Sequence, residues 1–346
     1  MSYRSLTITH INEEVPGVKT FTFGGPEAEG IAYQPGQYLT LVRQQGGQEI
    51  RRSYSISSAL ALHEPLTIAV KRIANGVFSR WLIDAARVGD TVQTTGASGF
   101  FTLPQGPQTF RQVFFWAAGS GITPVFSLIK TLLHGHPAVW VVLVYSNSSP
   151  SVAIFREELR QLEERFPASF KIIFLYSNAR RLDQARLHKN LLKEIFRRNS
   201  SSSVVQTLCY VCGPENYRRL CLYGLRELQV PKENLWQENF NVLKMAAKAT
   251  PPDTEPHVVL LHANGQTHRL QVQFPTTILQ AARQAGVAVP FSCETGVCGN
   301  CAAQCLEGSV WMSYNEVLTD REVNKGLTLT CVGYPVGGDV QLTFLP

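Results

Sequence analysis

The sequence predicts a multidomain protein: an antiparallel β-barrel, then an α/β domain with a parallel sheet, then a smaller α+β domain. Three observations support this. Short strand-like segments fill residues 1–106, strands alternate with amphipathic helices over 107–242, and a break without apolar periodicity at 243–256 precedes a last segment at 257–346. The length of 346 residues agrees, since it fits two or three domains.

The first segment contains the strand-like runs QYLTLV, RRSYSIS, LTIAVKRI and TVQTTG. They are short, rich in Val, Ile, Thr and Tyr, and separated by Gly, Pro and Asn turns. A single helical stretch, near FSRWLIDAA, interrupts them. This pattern predicts a small antiparallel barrel.

The second segment alternates apolar runs with amphipathic helices. QVFFWAA, VWVVLVYS, FKIIFLYS and TLCYVC are the apolar runs, and TPVFSLIKTLLH is the first helix. Continuous apolar strands between helices indicate a parallel sheet that is covered on both faces. Such sheets bind ligands at the carboxyl ends of their strands, so we expect a nucleotide-binding domain.

The break reads KMAAKATPPDTEP and is interpreted as a linker. Beyond it, two alternating runs flank Asn264-Gly265, a pair typical of a tight hairpin. The helical run TTILQAARQAG follows, with a threonine near its start and Gly286 at its end.

Composition limits the function classes. The chain is 44% hydrophobic and 17% charged, as in ordinary globular proteins. No run approaches the roughly 18 apolar residues of a membrane span, and the N-terminus lacks the apolar core of a signal peptide. We therefore expect a cytoplasmic protein with no membrane span. The net charge of +6 contains no basic block, so no nucleic-acid partner is predicted.

Five of the eight cysteines crowd into the last sixty or so residues, which favours metal binding in a reducing compartment. Cys293, Cys298 and Cys301 have C-x4-C-x2-C spacing, and Cys331 follows about thirty residues later. This is the spacing of plant-type [2Fe-2S] sites, in which four thiolates hold two irons.

The alternatives for these cysteines are a zinc site or four buried thiols. Zinc usually takes paired C-x2-C units or histidines, and only one C-x2-C pair occurs among them. Gly296 and Gly299 would let the backbone wrap around a cluster and direct N–H groups at its sulfurs. We interpret Cys305 as a packed strand cysteine, and Cys209 and Cys221 as core residues.

A candidate flavin site lies on a barrel strand. A flavin needs a cation for its phosphate, an aromatic face for its ring and a small hydrogen-bonding group near N5. The strand supplies such groups with Arg52, Ser53, Tyr54 and Ser55, and period two sends Arg52 and Tyr54 to the same side. Further along, candidate cofactor contacts come from a cation and a glycine turn at a helix start: Lys71, Gly76, Val77, Phe78 and Ser79.

A candidate pyridine-nucleotide site joins the first apolar strand of the second domain to a helix. Its glycines permit close approach of a pyrophosphate, which the helix N-terminus attracts, and a proline fits the first helical turn. The residues are Gly119, Ser120, Gly121, Thr123 and Pro124. Cys212, Gly213 and Pro214 end the fourth strand of the predicted sheet, where the thiol of Cys212 would pack against the nicotinamide.

The chain resembles the ferredoxin–NADP reductase superfamily with a C-terminal plant-type ferredoxin domain, and the oxygenase reductases within it. The resemblance rests on five motifs in this order: RSYS, GVFS, AAGSGITP, CGP and CETGVCGNC. The resemblance covers almost the whole chain. It implies a β-grasp fold for the last domain, FAD in preference to FMN, and contacts of Arg52, Tyr54 and Ser55 with the phosphate, ring face and N5. Glu238-Asn239-Phe240 resembles the acidic–aromatic segment that ends the nucleotide domain in this family.

The choice between NADPH and NADH stays open at this point. Relatives often place an arginine after the second strand, where this chain reads YSNSS. Arg180 and Arg181, after the third strand, would offer charge for a 2′-phosphate, although exposed arginines are usually solvated.

The resemblance implies an enzyme in which hydride passes from NAD(P)H to FAD, with Ser55 and Cys212 at the reacting atoms. Single electrons would then leave through the [2Fe-2S] cluster, near Glu294–Asn300, for a partner protein, foremost an oxygenase component. Two alternatives remain: a reductase for a desaturase or a hybrid-cluster protein, and a non-catalytic electron-carrier or sensor module.

Overall fold

The computed structural model describes residues 3–105, 109–181, 185–240 and 250–344. By their contacts these residues form two compact units. One joins Arg4–Ala97 to Phe101–Asn239, and the other contains Ser98–Phe100 and the residues from Phe240 onward. Most of the predicted linker at 243–256 lies outside the described residues, which resume at position 250.

The N-terminal part of the first unit is a six-stranded sheet in the order β4-β3-β6-β1-β2-β5. Beyond β4, Ile56 bridges to Ile68 in β5, so the two outer strands meet and the sheet closes as the predicted barrel. Its elements are β1 (Arg4–Val15), β2 (Val18–Gly24), α1 (Pro26–Glu29), β3 (Tyr38–Gln45), β4 (Gln48–Ser55), β5 (Thr67–Lys71), α2 (Val77–Asp84) and β6 (Thr91–Ser98).

The rest of this unit is a five-stranded sheet in the order β11-β10-β7-β8-β9, and all of its pairings are parallel. Its elements are β7 (Gln112–Ala118), α3 (Ile122–Gly135), β8 (Trp140–Asn147), α4 (Arg156–Arg165), β9 (Phe170–Tyr176), α5 (Lys189–Asn199), β10 (Thr207–Cys212), α6 (Glu215–Glu227) and β11 (Leu235–Glu238).

Strand β7 shows why its apolar run is continuous. Phe115 and Ala117 pack with α3 and α4 on one face of the sheet, whereas Phe114 and Trp116 pack with α5 and α6 on the other. Successive strand residues point to opposite faces, so a strand buried on both faces must be apolar at every position. The prediction of a doubly covered parallel sheet is confirmed.

The second unit contains a mixed five-stranded sheet in the order β13-β12-β18-β14-β16 and a two-stranded sheet of β15 and β17. Its elements are β12 (His257–Ala263), β13 (Gln266–Val272), α7 (Ile278–Gln284), β14 (Ala302–Glu307), β15 (Val310–Met312), α8 (Asp320–Asn324), β16 (Leu327–Leu329), β17 (Gly333–Pro335) and β18 (Val340–Phe344).

Local sequence signals explain two features of this α+β domain. Asn264 and Gly265 both have positive φ, 52° and 74°, as the tight turn between β12 and β13 requires. Thr277 caps α7 and exchanges hydrogen bonds with Gln280, which forms a capping box. The predicted hairpin and helix are therefore both present.

Across the described ranges, no helix combines the length and the apolar character that crossing a membrane demands.

Candidate flavin, nucleotide and iron–sulfur sites

The residues predicted to hold a flavin lie on β4, which pairs with β3 so that Leu41 opposes Arg52 and Leu39 opposes Tyr54. The ring of Tyr54 is half-buried and packs on Phe78 of α2, with 6.0 Å between ring centroids. Burial raises the pKa of the Tyr54 hydroxyl, and the nearby Arg52 charge partly opposes this shift. The structure thus brings the cation and the aromatic ring together.

Polar groups for a cofactor flank this ring. The Arg52 side chain is exposed, and its Nη1 donates to the carbonyl of Arg51 at 2.7 Å. Ser55 is only 6% exposed. Ser53 Oγ lies 3.1 Å from Thr40 Oγ1. Strand β4 thus carries an exposed cation and a buried hydroxyl next in sequence to the Tyr54 ring, and a flavin uses both kinds of group.

In the GVFS turn the side chains stabilise the turn, and the main chain provides N–H donors. Ser79 Oγ donates to the carbonyl of Gly76 and accepts from the N–H of Ile73, both at 3.2 Å, so it closes the turn. Phe78 is a core residue between Tyr54 and Trp81. Helix α2 begins at Val77, and the first N–H groups of this helix are therefore the donors that the turn offers to a phosphate.

The predicted strand–turn–helix of the nucleotide site is formed by β7, a 3₁₀ turn at Gly119–Gly121, and α3. A Cβ on Gly121 would lie 2.2 Å from the carbonyl oxygen of Cys212. Strands β7 and β10 are neighbours, with Ala117 opposite Cys212, so the two loops that follow them pack main chain against main chain. Only glycine fits at position 121.

These loops border a cleft of about 660 Å³ at the carboxyl end of the parallel sheet. Its walls include Gly119 and Ser120, the β8 end at 146–148, Ser177 after β9, and Arg186. Lys71 also lines the cleft, so the structure places this barrel residue in the nucleotide region. Residues of both the barrel and the parallel-sheet domain therefore line this cleft.

Thr123 and Pro124 support the turn from behind. Both side chains are buried, and Thr123 Oγ1 donates to the carbonyl of Ser120 at 3.0 Å. Of the predicted CGP triplet, Pro214 lines the cleft, and Tyr217 in the following helical turn lies beside it. The turn is thus supported by buried side chains at the start of α3.

Cys212 ends β10 fully buried, opposite Glu238 on β11. Burial raises the pKa of this thiol, so it is a neutral group. One oxygen of Glu238, Oε2, is buried without a hydrogen-bond partner in the described chain, and burial raises the pKa of Glu238 to about 8. A carboxyl that stays protonated near neutral pH therefore adjoins the predicted nicotinamide region.

Sequence reasoning did not assign several residues of the cleft, among them Arg186, Asn147 and Tyr217. Their positions carried a usable signal, because all follow the carboxyl ends of predicted parallel strands. Glu238 ends the fifth parallel strand and so follows the same rule, and the family resemblance includes it in the acidic–aromatic segment.

The four cysteines predicted as ligands converge in the second unit. The sulfur of Cys293 is within hydrogen-bonding reach of those of Cys298 and Cys331, and Cys331 also reaches Cys301. These contacts lower the pKa of Cys293 and raise the pKa values of Cys298 and Cys331. The group as a whole offers four sulfur donors in one place.

The surrounding backbone suits a cluster. The N–H of Thr295 points at Cys293 Sγ at 3.4 Å, and that of Asn300 points at Cys298 Sγ at 3.5 Å, as in sites where amides offset cluster charge. Gly296 has φ of 78°, and a Cβ there would lie 2.8 Å from the carbonyl oxygen of Tyr314. The loop can wrap the sulfurs only because this residue is glycine.

One observation separates the fifth cysteine of this segment from the four predicted ligands. Cys305 lies apart on β14, where its Sγ contacts the carbonyl of Glu307 at 3.4 Å. A donor set of four thiols that share two irons fits the convergence of sulfurs.

Three family models match successive parts of the chain. Residues 5–103 match an oxidoreductase FAD-binding domain, residues 115–221 an oxidoreductase NAD-binding domain, and residues 261–336 a 2Fe-2S iron-sulfur cluster binding domain. Together with the sites above, they define the class of protein: an NAD(P)H oxidoreductase that uses FAD and a [2Fe-2S] cluster.

Full-length relatives make the family specific. The chain is 30% identical over 352 residues to a component of the 1,2-phenylacetyl-CoA epoxidase of Escherichia coli (strain K12), covering 99% of this chain and 98% of that protein. It is also 30% identical to the 3-ketosteroid-9-alpha-monooxygenase ferredoxin reductase component of Mycolicibacterium smegmatis, over 98% of this chain and 96% of that protein. The chain belongs to the ferredoxin–NADP reductase-like family with a C-terminal [2Fe-2S] domain.

Solved structures share the fold. Phthalate dioxygenase reductase, 23% identical, matches with a TM-score of 0.60 over 99% of this chain and 98% of its own. An intact type IV self-sufficient cytochrome P450 monooxygenase, 21% identical, matches with a TM-score of 0.75, but this chain spans only 41% of its length. The predicted combination of barrel, parallel-sheet domain and ferredoxin-like domain is thereby confirmed.

Proposed function

We propose that this chain is the reductase component of a multicomponent oxygenase, to which it delivers electrons one at a time. The observation that carries the proposal is the convergence of four cysteine sulfurs in a chain that also has a nucleotide cleft bordered by its flavin-type barrel. The two relatives named above are components of an epoxidase and a monooxygenase, which supports an oxygenase as the acceptor.

On the flavin side, three residues of β4 have defined roles in the proposal. Arg52 binds the flavin phosphate, Tyr54 covers one ring face, and the buried hydroxyl of Ser55 donates to the ring edge near N5. The main-chain N–H groups at the start of α2 bind the pyrophosphate of FAD. Bound FAD accepts two electrons as hydride and passes them on singly, which neither nicotinamide nor an iron–sulfur cluster can do alone.

On the nucleotide side, the 119–121 turn and the start of α3 bind the pyrophosphate, and Lys71 supplies a cation on the opposite wall. Cys212 and Pro214 border the nicotinamide. Glu238 is a proton-holding group beside this region, because its pKa of about 8 keeps Oε1 or Oε2 protonated at neutral pH. The packed walls around Cys212 exclude water from the reacting edge.

The cluster ligands in the proposal are Cys293, Cys298, Cys301 and Cys331. Cys301 and Cys331 are buried, whereas Cys293 and Cys298 are half-buried and the intervening Glu294 is exposed. A [2Fe-2S] cluster held by these four thiolates would have its more exposed ligands at Cys293 and Cys298, so we propose this edge as the surface that the acceptor contacts.

We also propose NADPH as the preferred donor. Arg186 lines the nucleotide cleft, near the ends of β8 and β9, whereas Arg180 and Arg181 are not among the lining residues. A guanidinium at this end of the cleft suits a 2′-phosphate, because the pair forms charge-assisted hydrogen bonds.

The cytoplasmic location and the domain boundaries near residues 106, 242 and 257 stay predictions.

The test is an anaerobic titration of the purified holoprotein with NADPH and, separately, with NADH, followed by visible absorbance and electron paramagnetic resonance. We expect bleaching of the flavin band and then the signal of a reduced [2Fe-2S] centre. A protein that holds flavin but no cluster would overturn the ligand assignment. Failure of both nucleotides to reduce the loaded protein would favour the carrier or sensor alternative.

The acceptor is tested separately by supplying candidate oxygenase and desaturase components with the reduced protein. Substrate turnover that depends on this chain and is specific to an oxygenase supports the proposal. Equal or faster turnover with a desaturase would favour that alternative.

A further inference from the structure

Tyr145 is a buried polar residue in the first unit that none of the roles above uses. It lies on β8 with no exposed surface, and burial raises the pKa of its hydroxyl, so the group keeps its proton. A fully buried hydroxyl normally has a structural partner on each side.

Two partners of this hydroxyl belong to different walls of the nucleotide cleft, and the Asn147 side chain at the end of β8 is also within its reach. Tyr145 Oη donates to the carbonyl of Gly119 at 3.1 Å and accepts from the N–H of Ile154, also at 3.1 Å. Gly119 and Ile154 both line the cleft. One oxygen atom therefore joins the turn after β7 to the connection between β8 and α4.

The far end of that connection is also fixed. Phe155 has φ of 56°, a left-handed conformation that is unfavourable for a bulky residue, and its ring stacks on Phe126 of α3 at 4.4 Å. The wall at Ile154 is thus held from one side by a packed ring and from the other by the Tyr145 hydroxyl.

We infer that Tyr145 is a positioning residue for the ADP half of the pyridine nucleotide, and this rests on the proposed function. Its hydroxyl sets the separation between the glycine turn and the β8–α4 connection, and so the width of the cleft where the pyrophosphate binds. Tyr145 acts through Gly119 and Ile154 and does not touch the ligand itself.

The sharpest test is Tyr145→Phe, which removes one oxygen and keeps the ring. The carbonyl of Gly119 and the N–H of Ile154 then lose a buried partner, and both walls relax. Two neutral hydrogen bonds are lost, and we expect the dissociation constants of ADP and NADP⁺ to rise about three- to tenfold, the equivalent of about one of them, because part of the loss falls on fold stability. The rate of flavin reduction at saturating NADPH should stay within about twofold, because the nicotinamide end is unchanged.

Tyr210→Phe is the matched control. Tyr210 is also fully buried in the parallel sheet, and its hydroxyl donates to one carbonyl, that of Thr102, at 2.8 Å, but it does not line the cleft. This variant should leave ADP and NADP⁺ affinity unchanged. Flavin content and melting temperature of both variants, measured on the full chain, separate loss of affinity from general destabilisation.

A measurement on the unmodified protein covers the case in which Tyr145→Phe does not fold. Amide hydrogen exchange of the 150–155 segment should slow further when ADP is added, since the ligand closes against a wall that is already tethered.

Four results would overturn the inference: unchanged ADP affinity in Tyr145→Phe, an equal loss in Tyr210→Phe, a fall in the saturated rate with affinity unchanged, or unaltered exchange at 150–155. If neither nucleotide reduces the unmodified holoprotein, the proposed function fails first and the inference fails with it.

Discussion

Gly121→Ala is the substitution whose effect the structure fixes best. The added Cβ would lie 2.2 Å from the carbonyl oxygen and 2.6 Å from the carbonyl carbon of Cys212, where ordinary contacts begin at 3.4 Å. Both neighbours are main-chain atoms, so no side chain can rotate away. The turn and the Cys212 loop must separate by about 1 Å, and a misplacement of this size costs on the order of a hundredfold in rate.

The assay is flavin reduction by NADPH in stopped flow, with NADPH concentration varied. We expect Gly121→Ala to lower the limiting rate by about 100-fold, because the shift moves the nicotinamide wall at Cys212 as well as the pyrophosphate turn. Gly135→Ala is the matched control at the other end of α3, where a Cβ meets no atom within 4 Å. Wild-type rate and affinity in Gly121→Ala would refute the main-chain contact between the two loops.

Three further predictions concern the buried carboxyl, the donor and the cluster. The pKa of Glu238 in the folded protein, about 8, lies above its ordinary value of 4.5. The free energy of unfolding of the wild type should therefore fall by about 1–3 kcal/mol from pH 5 to pH 8 relative to that of Glu238→Gln, as measured by urea unfolding. Parallel pH profiles of the two proteins would contradict the raised pKa. Arg186→Gln should raise the KM for NADPH about tenfold without changing the KM for NADH, and the control Arg180→Gln should change neither. Equal effects of Arg186→Gln on both nucleotides would count against a contact with the 2′-phosphate. Cys331→Ser should abolish the [2Fe-2S] resonance while FAD is retained, whereas Cys305→Ser should keep it; a cluster that survives in Cys331→Ser would remove that residue from the ligand set.

The cluster loop shows how far local sequence reaches. The C-x4-C-x2-C spacing places three sulfurs on one short loop, and the glycines between them permit the turns that such a loop needs. Because this geometry is local, it could be predicted without knowing the rest of the domain. The hairpin at Asn264-Gly265 and the capped start of α7 could be predicted for the same reason.

The nucleotide cleft shows the opposite case. Lys71 is close in sequence to GVFS, which favours a flavin contact, and only the assembled unit places it on the cleft wall. Arg186 and Glu238 are far from AAGSGITP in sequence. Arg186 lines the cleft and Glu238 lies opposite Cys212 because of the strand order, which the sequence does not state.

By itself the sequence determined the classes of its segments, and it predicts the cofactor-binding motifs and the ligand cysteines, because these depend mostly on residues that are close along the chain. Only the tertiary structure decided which loops meet. The 2.2 Å approach at Gly121, the raised pKa of Glu238 and the double tether of Tyr145 all arise from contacts between distant segments. Burial and strand order set these contacts, and both are properties of the folded chain as a whole.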